Sequence, residues 1–140
     1  MKLNPYDITE VAMPFMQETH LEEIEMLNAL YILFEKSRNG AQVAELASTI
    51  EAIAKHTHEH FERENAQMLA QNFPPYPIHK QAHDQHLDEL DEVITTWRAS
   101  GDLAPVMTFF EITTPEWMKQ HISTMDFVTA NFFVMHAQNT

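Results

Sequence analysis

Four stretches of the chain repeat apolar residues at spacings of three and four, which is the period of an α-helix with one buried face. In the first stretch the apolar stripe includes Ile24, Leu27 and Tyr31, with charged residues between them. An amphipathic helix buries such a stripe against the core of a globular protein. The predicted helices span residues 17–37, 42–71, 78–99 and 114–136.

Residues that stop helices separate these segments. Gly40 and Gly101 are the two glycines of the chain, and each follows the expected end of a helix. The prolines of "NFPPYP" break the chain between the second and third helices. Thr114 and Pro115 form a favourable N-cap and first-turn pair, so the fourth helix is predicted to begin there. The preceding segment "DLAPVMTFFEIT" is apolar enough to be packed, but its proline argues against a long helix.

Amphipathic helices joined by short links predict an all-α fold. Successive helices with short connections lie antiparallel, so we expect an up-down-up-down four-helix bundle preceded by an N-terminal arm. A chain of 140 residues is expected to form a single domain, spanning residues 1–140.

The composition narrows the possible partners and surroundings. The formal charge of −13 argues against nucleic acids and anionic membranes, which select basic surfaces. No apolar run approaches the roughly 20 residues that span a bilayer, and the N-terminus does not resemble a signal peptide. The absence of cysteine excludes disulfides and thiolate metal sites and fits a reducing compartment. We therefore expect a cytoplasmic protein, without membrane insertion, and a monomer.

Several histidines and one glutamate fall on or beside the apolar stripes. A single histidine there is usually a hydrogen-bonded core residue, but burying so many without partners would cost several kcal/mol per charged group. A bound metal would satisfy them together. Residues four apart share a helix face, so two pairs on neighbouring helices point to one place. The residues concerned are His20, His60, Glu64, His79, His83 and His121.

The remaining histidines fit this pattern less well. His58 lies about 160° around the helix from His60 and should face solvent. His56 is four residues before His60 and could also point inward, but a supporting role is favoured over a ligand role. His86 and His136 are expected at the edge of the core or on the surface.

Three motifs carry a resemblance to a known family: "HFERE" from His60, "YPIHKQAHD" from Tyr76 and "WMKQHISTMD" from Trp117. Their order and spacing resemble the hemerythrin family in its bacterial form, whose pattern is a first-helix histidine, H-F-x-x-E, H-x-x-x-H and W-x-x-x-H-I-x-x-x-D. The resemblance covers essentially the whole chain. Departures are Gln17 and Asn65, where relatives often have acids, and the proline before the tryptophan.

The resemblance implies two irons joined by an oxo or hydroxo group and by two carboxylates. His79, His83 and His121 would bind one iron, His20 and His60 the other, and Glu64 and Asp126 would bridge them. Asp126 lies five residues after His121, about 140° away in a regular α-helix, and a π-bulge would bring the two onto one face. Candidates for lining an O2 pocket, or for ordinary core packing, are Ile24, Leu27, Phe61, Trp117 and Ile122.

The implied function is reversible, non-enzymatic O2 binding for storage, for delivery to an oxygen-using enzyme, or for scavenging. Imidazole and carboxylate ligands suit iron, and no acid can be placed from the sequence beside the iron with fewer ligands. The alternative is a diiron sensor or an enzyme acting on peroxide or nitric oxide. Iron storage is the weakest reading, since it would need a carboxylate-rich entry path.

Overall fold

A computed structural model describes residues 1–138, and the described part of the chain is helical without strands. Helices α1, α2 and α3 span Pro14–Arg38, Leu46–Ala70 and Tyr76–Ser100. A fourth helical run consists of α4 (Ala104–Thr108), α5 (Thr114–His121) and α6 (Phe127–Gln138). Two π-helical segments, Phe109–Thr113 and Ile122–Asp126, join these three pieces.

Contacts between the four runs confirm the antiparallel bundle. Between α1 and the fourth run, Arg38 pairs with Glu111 near one end and His20 with Asp126 near the other. Residue numbers therefore increase along α1 in the direction in which they decrease along the fourth run, so the two are antiparallel. The same reversal relates α2 to α3, where Arg98 pairs with Glu51 and His83 with Asn65. Gly40 and Gly101, with φ angles of +86° and +74°, follow α1 and α3 as predicted.

The N-terminal arm packs against the bundle. Leu3 and Val11 are buried, and the Leu3 backbone exchanges two hydrogen bonds with the Asn28 side chain, at 2.7 and 2.8 Å. Gln17 accepts the N–H of Val11 at 3.0 Å. The amide at position 17 therefore fixes the arm to the first turn of α1.

Helix α5 begins at Thr114 as predicted, but Thr114 is not an N-cap, because the helical run already begins at Ala104 and continues through Pro115. In the π segment the Thr114 N–H bonds to the Phe109 carbonyl, five residues back. With the same five-residue spacing, the Phe110 carbonyl would accept a hydrogen bond from the backbone N–H of residue 115, but proline has no N–H. The Tyr31 hydroxyl donates to this carbonyl instead, at 2.6 Å. A side chain from α1 thus lets a proline lie within the helical run.

No helix in the described range is long and apolar enough to cross a membrane. The core is formed by apolar side chains from all four runs. The buried polar residues are concentrated at one level of the bundle, where the runs bring histidines and carboxylates together.

Candidate metal centre

All seven predicted ligand side chains meet in the interior, and each is at most 5% exposed. Every helical run contributes to the cluster. The two ligands of α2 are four residues apart, as are the two ligands of α3, so each pair lies on one face of its helix, as the sequence predicted. The residues are His20 of α1, His60 and Glu64 of α2, His79 and His83 of α3, His121 at the end of α5, and Asp126 at the end of the second π segment.

Three histidines form one half of the cluster. The Nε2 atom of His121 lies 3.1 Å from Nε2 of His79 and 3.2 Å from Nε2 of His83. Oδ1 of Asp126 lies 3.0 Å from Nε2 of His79, and Oε1 of Glu64 lies 3.4 Å from Nε2 of His83. Ligand-type atoms of these five residues all lie within 4.8 Å of one another, close enough to surround one cation.

Two histidines form the other half. Nε2 of His20 lies 3.0 Å from Oδ2 of Asp126, and Nε2 of His60 contacts Oε2 of Glu64. His20, His60 and Glu64 make a second compact group of potential metal ligands. Each carboxylate therefore presents one oxygen to the three-histidine half and the other to the two-histidine half. This is the arrangement that a carboxylate needs to bridge two cations.

The donor set fits metal ions better than an unliganded core. Oε1 of Glu64 and Oδ1 of Asp126 are buried and receive no well-directed hydrogen bond from the described residues, although imidazole nitrogens lie close to both. Two buried carboxylates beside converging nitrogens carry a large desolvation cost unless a positive charge lies between them. Imidazole and carboxylate together are typical ligands for iron and related transition metals.

The second π segment aligns Asp126 with His121, as the sequence predicted. Its closing hydrogen bond runs from the Phe127 N–H to the Ile122 carbonyl, five residues back. The wider turn brings residues five apart onto one face. Oδ1 of Asp126 consequently lies 3.1 Å from Nε2 of His121.

Neighbouring side chains set the proton positions of two ligands. The Thr129 hydroxyl donates to the Met125 carbonyl at 2.8 Å, so it accepts from Nδ1–H of His79, also at 2.8 Å. The Asn65 carbonyl oxygen accepts from Nδ1–H of His83 at 2.8 Å. Protonation at Nδ1 leaves the Nε2 lone pair free toward the cluster.

Electrostatics favour the metal-binding charge states of three ligands and oppose that of His60, whose pKa burial alone would lower but the facing Glu64 and Glu23 carboxylates raise. Burial alone would raise the pKa of the Glu64 and Asp126 carboxyls, but the facing histidines outweigh it and lower both pKa values. Both groups are thus ionised near neutral pH. Burial lowers the pKa of His83 to about 4, which keeps its imidazole neutral.

Sequence reasoning missed Glu23. This glutamate of α1 is 5% exposed, and its Oε2 lies 3.3 Å from Nδ1 of His60. Burial alone would raise its pKa, but contact with His60 lowers it. The signal was available, because Glu23 follows the inward-facing His20 by three residues and so shares its helix face. The expectation that no acid approaches the two-histidine half is therefore corrected: one lies behind the His60 ring.

The other histidines divide as follows. His58 is exposed and pairs with Asp91 at 2.9 Å, which confirms the predicted solvent-facing position. His56 belongs to neither group of potential ligands, and its Nε2 lies 3.2 Å from Glu22. His136 is exposed. The prediction for His86 is wrong: it is only 3% exposed, because it stacks on Trp117 at 4.0 Å inside the core.

The five pocket candidates have different neighbours, and two of them contact ligand histidines. Phe61 stacks on His83 at 4.1 Å and Trp117 stacks on His121 at 4.2 Å. Ile24 lines a narrow gap beneath the N-terminal arm. Leu27 and Ile122 are buried in the apolar core. Phe61 and Trp117 thus hold two ring ligands in place by direct packing.

The fold and the cluster define a helical-bundle protein built to hold cations between histidines and shared carboxylates. The Hemerythrin HHE cation binding domain matches residues 12–132. The chain therefore belongs to the hemerythrin family.

Relatives in this family cover most of the chain. A bacteriohemerythrin of Aquifex aeolicus (strain VF5) is 28% identical over 130 residues, which cover 93% of this chain and 96% of the relative. A bacteriohemerythrin of Ralstonia nicotianae (strain ATCC BAA-1114 / GMI1000) is 38% identical over 86 residues, 61% of each chain. A myohemerythrin of Sipunculus nudus is 32% identical over 95 residues, 68% of each chain. No solved structure shows significant similarity to this chain.

Proposed function

We propose that this protein is a non-heme diiron protein that binds O2 reversibly and without turnover, for storage, delivery to an oxygen-using enzyme, or scavenging. The observation that carries the proposal is the division of two buried carboxylates between a three-histidine and a two-histidine half. Membership of the hemerythrin family supports iron as the metal. The relatives named bacteriohemerythrin and myohemerythrin support the same function.

The two halves would hold their irons unequally. His79, His83 and His121 with one oxygen from each carboxylate offer five donors, whereas His20 and His60 with the other two oxygens offer four. When bound, a pair of irons would supply the electrons for reversible O2 binding, and the half with fewer protein donors would be the one able to take O2. The chain sets this asymmetry, because α1 contributes one ligand whereas α3 contributes two.

Apolar surroundings favour binding over reduction of O2 to released products. Turnover needs protons delivered repeatedly by a group within hydrogen-bond reach of the bound molecule. Apart from the two bridging candidates, Glu23 is a buried acid beside the two-histidine half, but it contacts the Nδ1 side of His60, opposite the Nε2 that faces the cluster. Residues proposed to line the O2 pocket and exclude water are Ile24, Leu27, Phe61, Trp117 and Ile122.

Anaerobic loading with ferrous iron followed by exposure to O2 tests the proposal. We expect two irons per chain, a new visible absorption on exposure, and its loss under vacuum with recovery of the starting spectrum. A saturating ratio near one iron per chain would contradict the two-halved site. An absorption change that vacuum does not reverse would contradict the carrier function.

The polar contacts between α1 and α2 favour one alternative, a diiron sensor or an enzyme acting on peroxide or nitric oxide. His56 contacts the exposed Glu22, and its ring centre lies 6.3 Å from that of His60. A histidine in that place could pass protons near neutral pH. Steady O2 consumption in the presence of a reductant, slowed in His56→Leu, would move the protein to this class.

A further inference from the structure

Glu23 is a buried acid that belongs to neither group of potential metal ligands. It lies on α1 one turn after His20, and its side chain is 6% exposed. An ionised carboxylate at such a depth is costly unless a donor or a positive charge faces it. Its surroundings therefore indicate what it does.

His60 is the donor that Glu23 faces. Nδ1 of His60 lies 3.3 Å from Oε2 of Glu23, at ion-pair distance but without the alignment of a hydrogen bond, and no other acceptor among the described residues takes this nitrogen. Oγ1 of Thr57 lies 3.5 Å from Oε1 of Glu23. The Thr57 hydroxyl is already committed, because it donates to the Ile53 carbonyl at 2.9 Å. Among the contacts described, the imidazole N–H of His60 is thus the available proton for this carboxylate.

Two other ligand histidines donate their outer N–H to an acceptor that, unlike Glu23, carries no charge. His79 donates to a hydroxyl and His83 to an amide, and both acceptors are neutral. His60, in the half with fewer ligands, faces a carboxylate. A carboxylate that accepts the outer N–H of a ligand histidine fixes its ring and makes the metal-binding nitrogen more basic.

We propose that Glu23 is a positioning residue for the two-histidine half: it accepts Nδ1–H of His60 and so holds Nε2 toward Glu64 and the cation. The inference rests on the proposed two-metal function. It gives the half with four donors a stronger imidazole ligand, which offsets part of its smaller ligand count. The three-histidine half does not depend on this contact.

Titration of the metal-free, full-length chain with Co²⁺ tests this assignment by visible absorption. Glu23→Leu removes the acceptor and should weaken one of the two binding steps 10- to 100-fold, leaving the other unchanged. Glu23→Gln keeps the shape but loses the charge, and it should weaken the same step several-fold. Glu22→Gln removes the neighbouring, exposed charge and is the matched control, expected to match the unmodified chain.

Equal affinities for both ions in Glu23→Leu and the unmodified chain would overturn the assignment. A purely structural role would weaken both steps together, which also contradicts it. If the unmodified chain bound a single Co²⁺, the two-metal function would fail instead, and the position of His60 would still be measurable. For that purpose, ¹H–¹⁵N NMR of the metal-free chain should show a solvent-protected Nδ1–H proton on His60 that is lost in Glu23→Leu; a signal unchanged in that variant would overturn the assignment on its own.

Discussion

At the scale of single residues, one oxygen atom beside an imidazole decides which of its nitrogens is available to a metal, and two of the ligand histidines have such a contact. Thr129 and Asn65 do this for His79 and His83 through one oxygen each. Both contacts come from residues that are not themselves potential ligands. Small substitutions at such positions should therefore act on metal binding more than on the fold.

Thr129→Val tests this control, because valine keeps the shape of threonine and removes the oxygen that accepts from His79. We expect retention of metal against a competing chelator to fall by about 10-fold. Thr124→Val is the matched control, since the Thr124 hydroxyl bonds to the backbone carbonyls of Gln120 and, at 3.5 Å, of His121, and to no imidazole nitrogen. Equal metal retention in both variants would show that the His79 contact is unimportant.

His86 is a second residue whose effect is local, and it makes stability depend on pH. Burial lowers its pKa to about 4, against about 6.5 in an unfolded chain. The fold favours the neutral form, so this contribution is complete above pH 6.5 and is lost as the pH falls toward 4. The loss should approach about 3 kcal/mol.

His86→Phe should remove this sensitivity. Its Nδ1 is buried without a hydrogen-bond partner among the described residues, so the variant should also be about 1 kcal/mol more stable at pH 7. Urea unfolding of both metal-free chains at pH 7 and 4.5 measures the two effects. His136→Phe, at an exposed site, serves as the control. Other buried groups, including His83 and Glu64, should keep part of the acid sensitivity, so a difference between pH 7 and 4.5 as large as that of the unmodified chain would contradict the role of His86.

At the scale of elements, the two π segments of the fourth run have different structural effects. The segment ending at Asp126 brings this carboxylate onto the face of His121. The segment ending at Thr113 precedes Pro115 and leaves a backbone carbonyl that the helix cannot satisfy. Tyr31 satisfies it from α1, so the continuity of the fourth run depends on another helix.

Tyr31→Phe should measure that dependence. The variant keeps the ring and leaves the buried Phe110 carbonyl without its donor, which should lower the free energy of unfolding by about 1–3 kcal/mol. Tyr6→Phe is the matched control, because Tyr6 is 95% exposed and should change little. Chemical denaturation of the two variants gives the comparison. Equal stabilities would mean that another group or water satisfies the carbonyl.

At the scale of the whole molecule, the metal centre joins all four helical runs. Ligands from α1, α2, α3 and the fourth run meet within one cluster, so bound ions link elements that are otherwise held by apolar packing. Anything that binds the folded chain and not the unfolded one stabilises it by mass action. Folding and metal loading should therefore be coupled.

Removal of the metal should lower the free energy of unfolding by about 3 kcal/mol when free metal had been at about 100 times its dissociation constant. Chemical denaturation with and without a chelator measures this difference. His60→Ala should lose part of the stabilisation, whereas His58→Ala, on the solvent-facing side of the same helix, should keep it. Similar losses in the two variants would contradict the helix orientation described here.

Much of the bundle and of the cluster could be predicted from the chain, because the relevant order is local. A spacing of four places His60 with Glu64, and His79 with His83, on one face of any α-helix. Glycines and prolines in the connections mark where helices end. The apolar stripes also marked His20 and His121, and the family motif added Asp126. That all seven side chains cluster is now observed, and that they bind iron is the proposal to be tested.

What only the tertiary structure decided depends on contacts between distant parts of the chain. Pro115 stops a helix when considered locally, but Tyr31, 84 positions earlier in the printed sequence, donates the hydrogen bond that lets the run continue. His86 is polar by its residue type, yet stacking on Trp117 buries it. Glu23 could be assigned to a helix face but not to the Nδ1 atom of His60. Helix periodicity sets the direction of a side chain, whereas the packing of helices against one another sets its partner.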